Sequence, residues 1–202
     1  MRKIGILGGT FNPIHNGHIA LAKAAYEAIN LDKVLIMPSG VSYLKKDIKV
    51  LPKDIRAAMT KFAIEEYPYF EFSDIEIKRE GNTYTYETLL ELHNMNPDEE
   101  YYFITGADTV YNIESWKCLD IILANCKLMV MVRDDVSTDD LIERCNYLSN
   151  KYNTECIIIN APAIDISSSE IRNQIHSNDL ESVKEMLPAK VFEYICENKL
   201  YI

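Results

Sequence analysis

The sequence of 202 residues is poor in positive charge and has no basic cluster. Lysine and arginine together number 21 against 31 aspartate and glutamate residues, which gives a formal net charge of -10. Basic residues are scattered, and basic runs end after two residues, as at Lys45-Lys46. Affinity for nucleic acids and anionic membranes grows with clustered lysine and arginine. The composition therefore disfavours DNA, RNA and a membrane surface as partners.

Paired cysteines and a long N-terminal apolar run are also missing. The cysteines are an odd set without a CxxC spacing, which argues against a disulfide framework and against a zinc ribbon. The apolar run after Arg2 and Lys3 ends at Gly8-Gly9, too soon for a signal peptide or a membrane span. We therefore expect a cytoplasmic protein with reduced thiols. The five cysteines are Cys118, Cys126, Cys145, Cys156 and Cys196.

The hydrophobic content is sufficient for one packed core. Hydrophobic residues make up 48% of the chain, and a chain of this length suits one domain. No repeat, low-complexity tract or linker divides the sequence. We therefore expect a single domain over residues 1–202. Whether it forms a homo-oligomer is left open by the sequence.

Strand-like and helix-like segments alternate along the chain. This order predicts an α/β fold, a single doubly wound Rossmann-like domain with a central, mostly parallel sheet. Two short helices, one after Ile166 and one after Pro188, form a C-terminal helical portion from about residue 166. In such a sheet, ligands bind beyond the carboxyl ends of the strands. The predicted strands are 3–7, 34–37, 70–77, 101–105, 128–132 and 155–159. The predicted longer helices are 18–29, 52–66, 86–95 and 138–151, with a helical turn region at 115–123.

The loop after the first strand has the composition of a phosphate-binding loop. Gly8 and Gly9 allow the backbone to approach a ligand closely, and the following helix offers unpaired amides. His15 and His18, three residues apart at the helix start, place both imidazoles beside those amides. Two imidazoles can donate hydrogen bonds to a phosphate during its transfer. The alternatives are that His15 caps a turn while His18 packs in the helix, or that the pair binds zinc, for which partner histidines at suitable spacing are missing.

A second segment, residues 166–172, joins hydroxyls at a helix start to a guanidinium one turn later. Ser167, Ser168 and Ser169 can present hydroxyls and free amides, and Arg172 can face the same anion. This arrangement suits a polyphosphate tail. The alternative is an ordinary capping box.

Three further positions could bind parts of a nucleotide. Gly106 and Asp108 end a predicted strand, where a carboxylate suits ribose hydroxyls, although Asp108 could instead cap the next turn. Trp116, the single tryptophan, could stack on a flat ring or could belong to the core. The segment 83–85 at a helix start offers amides to a small anion or serves only as a cap.

These segments together resemble a known family. Residues 9–18, GTFNPIHNGH, are similar to the nucleotide-binding signature of the adenylyl- and cytidylyltransferase superfamily, and residues 166–172, ISSSEIR, are similar to its second signature. Within that superfamily the chain resembles bacterial nicotinate-nucleotide adenylyltransferases, through residues 81–89, residues 103–108 and Trp116-Lys117. The resemblance covers nearly the whole chain. Such enzymes join nicotinate mononucleotide to ATP, which gives deamido-NAD and pyrophosphate.

The resemblance implies a role for each matching residue. It implies that His18 and His15 are catalytic, that the adenosine side is bound by Gly106 and Asp108, and that Lys45 contacts phosphate. Two departures are visible: Asn12 stands where many relatives carry aspartate, and residues 42–45 stand where many carry Pro-Pro-His-Lys. The implied ATP-binding residues are Gly8, Gly9, Thr10, Phe11, His15, His18, Gly106, Asp108, Ser168 and Arg172, and the implied mononucleotide-binding residues are Lys45, Tyr84, Thr85 and Trp116.

The implied reaction needs no covalent intermediate. The 5′-phosphate of the acceptor attacks the α-phosphorus of ATP, so catalysis rests on positioning and charge stabilisation. Mg²⁺ is expected as the cofactor, held mainly through phosphates and waters rather than by protein ligands. The rival interpretations are a pantetheine-phosphate adenylyltransferase, a cytidylyltransferase, and a nucleotide-binding regulator without turnover.

Overall fold

The computed structural model of the protein describes residues 1–42, 50–132, 138–160 and 165–202. Within these ranges the chain forms eight strands and ten α-helices. The strands are β1 (Arg2–Gly9), β2 (Lys33–Pro38), β3 (Val41–Ser42), β4 (Phe70–Phe72), β5 (Asn82–Thr83), β6 (Glu99–Gly106), β7 (Lys127–Val132) and β8 (Cys156–Asn160). The helices are α1 (Asn16–Ile29), α2 (Lys53–Ile64), α3 (Ile75–Lys78), α4 (Thr85–Met95), α5 (Ala107–Asn112), α6 (Leu119–Asn125), α7 (Thr138–Tyr152), α8 (Ser168–His176), α9 (Leu180–Met186) and α10 (Ala189–Glu197).

Six strands form one parallel sheet in the order β4-β2-β1-β6-β7-β8. The chain runs outward from β1 through β2 to β4, and then returns to the middle at β6 and runs outward through β7 to β8. The direction of winding therefore reverses between β1 and β6. In doubly wound sheets this reversal opens a crevice beyond the carboxyl ends of the two strands. The predicted fold class is confirmed.

The alternation of side chains along the strands divides the core into two clusters, one on each face of the sheet. On one face, Leu7, Ile36 and Ile104 pack with buried residues of α1, α2 and α8 to α10. On the other, Ile6 and Phe103 pack with buried residues of α4 to α7. Helices on both faces explain why the central strands are apolar throughout rather than alternating with polar residues.

The predicted strand at 70–77 is wrong in its second half. β4 ends at Phe72, and α3 begins at Ile75 after Asp74 as its N-cap residue. The apolar residues Phe72 and Ile75 are three positions apart, a spacing that breaks the period of two on which a strand depends.

Several short elements were not predicted. They are α5, directly after β6; the two-stranded parallel pair of β3 and β5; and a third C-terminal helix, α9. α9 starts at an Asp179 cap, whose carboxylate accepts a hydrogen bond from the Ser182 amide at 3.3 Å. Elements this short contribute too few periodic positions to stand out in a sequence.

No helix in the described part of the chain is both long enough and apolar enough to span a membrane.

Candidate active site

Two neighbouring cavities lie at the carboxyl end of β1, and both are lined by Gly9. The first, called the histidine cavity, is lined by Gly9, Thr10, Phe11, Asn12, His15, Gly17, His18, Leu21, Val50, Ile166, Ser167, Ser168, Ser169 and Arg172. The second, called the tryptophan cavity, is lined by Ile6, Gly8, Gly9, Met37, Ser39, Glu76, Thr83, Thr85, Thr88, Leu89, Phe103 and Trp116. The cavities therefore meet at Gly9, the last residue of β1.

The loop after β1 is shaped by the close packing of Phe11 on Gly9. Phe11 has a φ of 47° and is 2% exposed. A Cβ atom on Gly9 would lie 2.6 Å from the Phe11 ring, so only glycine leaves room for this ring. The ring in turn contacts the His18 imidazole edge-on, with centroids 4.9 Å apart. Gly9 and Phe11 thus set the position of His18.

His15 and His18 lie next to each other at the start of α1. His15 is the N-cap residue and is 5% exposed, and the two imidazole centroids are 3.7 Å apart. The His15 backbone amide donates a hydrogen bond to Nδ1 of His18 at 3.3 Å. A neutral imidazole with Nδ1 as acceptor carries its proton on Nε2. His18 therefore presents an N–H donor from its other ring nitrogen. His15 combines the capping position with a place in the cavity wall, so the two interpretations of this residue are compatible.

Arg172 and Ser168 tie the start of α8 to the loop after β1. The Arg172 guanidinium donates to the carbonyl oxygens of Asn12 at 2.8 Å and Ser168 at 3.0 Å. The Ser168 hydroxyl donates to the Pro13 carbonyl at 2.9 Å. Ser167 caps the helix by accepting from the Glu170 amide at 3.1 Å. Residues 160 positions apart in sequence thus form one wall, where hydroxyls, helix amides and a guanidinium suit an anion.

Arg56, which the sequence interpretation missed, fastens three segments around the site. This residue of α2 is 2% exposed, and its guanidinium donates to carbonyl oxygens on all sides. The acceptors are Leu51 at 3.0 Å, Thr10 at 2.6 Å, Ser39 at 2.8 Å and Gly40 at 3.4 Å. Burial lowers the pKa of Arg56, although arginine stays protonated in proteins. In these contacts its positive charge faces uncharged carbonyl oxygens rather than a carboxylate.

The tryptophan cavity combines an aromatic wall with a helix start. The Trp116 ring meets Phe103 edge-on at 5.7 Å between centroids, and Thr85 is the first residue of α4. Tyr84, rather than Thr83 or Thr85, is the N-cap residue. The first amides of a helix have no acceptor within the helix, so they are available to a ligand anion.

Glu76 lines the same cavity and was also missed. Burial raises the pKa of its carboxyl, and a hydrogen bond from Thr88 opposes this shift. The Thr88 hydroxyl donates to Oε1 of Glu76 at 2.9 Å, and Thr83 and the Gly40 amide are further donors. These donors occupy the carboxylate oxygens, so Glu76 braces the cavity wall.

Ser39 is another missed residue of the tryptophan cavity. Its hydroxyl oxygen is buried without a hydrogen-bond partner among the described residues. Buried polar atoms usually have partners, so this hydroxyl is an unsatisfied polar group beside the cavity.

The structure does not bring every expected site residue into these cavities. Gly106 and Asp108 lie exposed at the end of β6 and the start of α5, beside the crevice but outside the lining of both cavities. Tyr84 is not among the lining residues of either cavity, and the Lys117 ammonium lies 4.2 Å from its ring centroid. Lys45 lies outside the described residues.

A methyl group on Gly9 is expected to disturb the loop. In Gly9→Ala the Phe11 ring must move away from the new Cβ, which overpacks a buried site and costs about 1–3 kcal/mol of unfolding free energy. Denaturant unfolding measures this loss. Gly106→Ala is the matched control, because no atom lies within 4 Å of a Cβ built there. Equal stability of the two variants would contradict the packing role of Gly9.

Glu114 anchors the turn that carries Trp116. This turn, Ile113–Ser115, precedes the tryptophan, and the Glu114 carboxylate binds Lys151 at 2.6 Å, Arg144 at 2.9 Å and Tyr152 at 3.2 Å, all on α7. These contacts, led by Lys151, lower the pKa of Glu114 from 4.5 to about 2.

This low pKa predicts a pH-dependent contribution to stability. A carboxyl whose pKa is lower in the folded state stabilises the fold above its unfolded pKa, and this contribution disappears as the pH falls through the folded pKa. The wild type is therefore expected to melt above Glu114→Gln at pH 7, with the difference shrinking between pH 5 and pH 2. Thermal melts across this range measure it, with Glu143→Gln, an exposed carboxylate of α7, as the control. A difference that does not change with pH would contradict the assignment.

Comparisons with known proteins agree over the whole chain. A relative from Clostridium botulinum (strain Eklund 17B / Type B) is 42% identical, over 100% of this chain and 98% of its own length. One from Lachnoclostridium phytofermentans is 37% identical over the full length of both chains. Each carries the name probable nicotinate-nucleotide adenylyltransferase. Among solved structures, Plasmodium falciparum nicotinic acid mononucleotide adenylyltransferase complexed with NaAD superimposes with a TM-score of 0.81 at 20% identity, over 100% of this chain and 98% of that one.

The fold and the site define a nucleotidyltransferase: a phosphate-type loop with paired histidines lies at the reversal point of a Rossmann-like sheet. The sequence profile of the cytidylyltransferase-like family matches residues 6–174. The chain belongs to this family and, within it, to the nicotinate-nucleotide adenylyltransferases.

Proposed function

We propose that the chain transfers the adenylyl group of ATP to nicotinate mononucleotide, with deamido-NAD and pyrophosphate as products. The observation that carries this proposal is the meeting of the two cavities at Gly9. One cavity is lined by donors suited to a polyphosphate, and the other by an aromatic ring and a helix start suited to a flat ring with a carboxylate. A shared glycine wall lets the two substrates meet at the transferred phosphorus.

The histidine cavity would hold the phosphates of ATP. Gly9, Thr10 and Phe11 would offer backbone at the bottom of the cavity, while Ser168 and Arg172 would bind the terminal phosphates from α8. The hydrogen bonds of Arg172 run to uncharged oxygens, so its charge is available to an anion. Gly106 and Asp108, exposed at the end of β6, would approach the adenosine from the rim of the crevice.

The tryptophan cavity would hold the acceptor. Trp116 would stack on the nicotinate ring, and the Thr85 amide at the start of α4 would bind the ring carboxylate. Tyr84 would support this helix start, and Lys45 is proposed to contact phosphate. The Ser39 hydroxyl would supply one more hydrogen bond.

The chemistry follows from the placement of His18. The 5′-phosphate of the acceptor attacks the α-phosphorus of ATP in line, and pyrophosphate leaves without a covalent intermediate. Negative charge shifts towards the bridging and equatorial oxygens during this step. His18, with its Nε2 proton held in place by the His15 amide at Nδ1, would donate to these oxygens. His15 would support the same charge from the helix start.

Magnesium fits this site as a cofactor bound mainly by the substrate. The described residues include no group of three or more His, Cys, Asp or Glu side chains arranged to hold a metal ion. Mg²⁺ keeps several waters and binds through substrate phosphates in many nucleotide enzymes. It would neutralise the departing pyrophosphate, while Ser168 and Arg172 hold the same phosphates.

Pyrophosphate release from ATP and nicotinate mononucleotide tests the proposal, with each substrate omitted in turn. Release that needs both substrates, with formation of deamido-NAD, is the expected result. Binding of ATP without release would favour a nucleotide-binding regulator. Release from ATP with phosphopantetheine, but not with nicotinate mononucleotide, would favour a pantetheine-phosphate adenylyltransferase. We also propose a cytoplasmic location without a nucleic-acid partner, supported by five free thiols and the acidic composition.

A further inference from the structure

The segment after α10 folds back so that Tyr201 reaches the loop after β1, while Ile202 is exposed. After α10 the chain turns through Lys199 and Tyr201, which have φ values of 50° and 66°. Leu200, between them, is 9% exposed and belongs to the core on the side of α1 and α2. Alternate left-handed residues around a buried leucine give this end of the chain a defined path. That path brings the Tyr201 side chain to the loop after β1.

Tyr201 makes one specific polar contact, with Asn12. Its hydroxyl donates to Oδ1 of Asn12 at 3.0 Å, across 189 positions of sequence. The Leu51 amide donates to the same oxygen at 3.2 Å. Asn12 is 4% exposed, so this side chain is held inside the protein by two donors from distant segments.

Asn12 connects Tyr201 to the anion-binding wall. Its backbone carbonyl accepts the 2.8 Å hydrogen bond from Arg172. Leu51, its other partner, offers its carbonyl to Arg56, which also holds Thr10. A rotation or shift of Asn12 would therefore move the acceptor that holds Arg172 and strain the Arg56 contacts.

The phenol remains a proton donor over the working pH range. Burial raises the pKa of Tyr201, against the opposing influence of Arg172 and Arg56. The charges of Arg172 and Arg56 both act on the hydroxyl.

We propose that Tyr201 is a positioning residue for adenylyl transfer, acting through Asn12 to hold Arg172 against the terminal phosphates of ATP. The inference rests on the proposed function for its activity readout. The structural basis of the inference does not depend on that function: the Tyr201 hydroxyl holds Asn12 in the loop after β1. Tyr201 would touch no substrate, and its effect would pass through the Asn12 backbone.

Tyr201→Phe tests this role, because it removes the hydroxyl and keeps the ring. Turnover is expected to fall about tenfold, with the KM for nicotinate mononucleotide nearly unchanged, the range of effects seen when one buried hydrogen bond is lost. Tyr194→Phe is the matched control, since it removes a hydroxyl from the same C-terminal region, where the ring packs on Phe62. Melting temperatures of both variants separate a positioning effect from a loss of folding.

A double-mutant cycle with Arg172→Ala decides whether the effect passes through Arg172. If it does, adding Tyr201→Phe to Arg172→Ala lowers turnover by less than about twofold, because coupled sites are not additive. A full tenfold loss in that background, or no loss in the wild-type background, would overturn the proposal. If the wild type shows no turnover, the proposed function fails, and the same cycle is then measured on ATP affinity by calorimetry. Additive effects on affinity, or no effect of Tyr201→Phe, would overturn the positioning role there.

Discussion

His18→Ala is expected to lower the turnover number about 100-fold while leaving ATP affinity within about threefold, because a lost donor to a developing charge typically costs roughly 3 kcal/mol. The His18 ring is held on two sides, by the Phe11 edge and by the His15 amide at Nδ1. Its Nε2 proton is therefore directed before substrate binds. The hydrogen bond from a preorganised donor becomes stronger as charge develops in the transition state. The same hydrogen bond contributes little to binding of the ground state.

Steady-state turnover and ATP binding measured on the same preparation check this prediction. His176→Ala is the control, because this exposed histidine lies in the last turn of α8, away from the cavity wall. An equal loss in kcat and in ATP affinity would show that His18 acts only in binding. Near-normal turnover would show that His18 has no catalytic role.

Arg56→Lys is expected to lower the free energy of unfolding by about 3 kcal/mol, because a lysine cannot reproduce the fork geometry and leaves buried carbonyls without partners. The guanidinium donates to four carbonyls that belong to the loop after β1, the loop after β2 and the approach to α2. An ammonium on a single stem can satisfy only part of this set. Activity should fall as well, because Thr10 and Ser39 line the two cavities.

Chemical denaturation measures the loss, with Arg2→Lys as the control. Arg2 has a side chain 60% exposed and a single 3.5 Å pair with Glu99, so its replacement should cost less than about 0.5 kcal/mol. If Arg56→Lys were as stable as this control, the carbonyl contacts of Arg56 would not be what holds the loops together.

The alternation of strands and helices could be predicted from the sequence because long segments repeat the hydrophobic pattern of their secondary structure several times. The predicted 18–29 helix and the predicted 128–132 strand correspond closely to α1 and β7. The apolar face of α1 packs on the sheet, and β7 is a buried strand within it, so the hydrophobic pattern and the tertiary structure agree. The predicted strand at 70–77 was wrong in its second half. Phe70 and Phe72 alternate with polar residues, and so do Ile75 and Ile77, but the three-residue step from Phe72 to Ile75 breaks the period of two. Short helices such as α5 depend on capping and on their neighbours rather than on period.

The site could be predicted in part for a related reason. Glycine pairs, closely spaced histidines and a serine run are local patterns, and they mark Gly9, His18 and Ser168 within one short segment each. Arg56 had a signal that was overlooked: it shares the buried stripe of α2 with Met59 and Ala63, where a charged residue requires partners. Tyr201 had none, because its contact with Asn12 joins the two ends of the chain.

The preference between nicotinate and nicotinamide mononucleotide as acceptors is the sharpest test of the proposed adenylyl transfer. Nicotinate and nicotinamide mononucleotides differ only in the group that Thr85 and Trp116 would face, and helix-start amides favour the charged carboxylate. With ATP held constant, kcat/KM is expected to be at least about tenfold higher for the acid, which corresponds to about 1.4 kcal/mol. Equal kcat/KM for the two mononucleotides, or a higher value for the amide, would contradict the account.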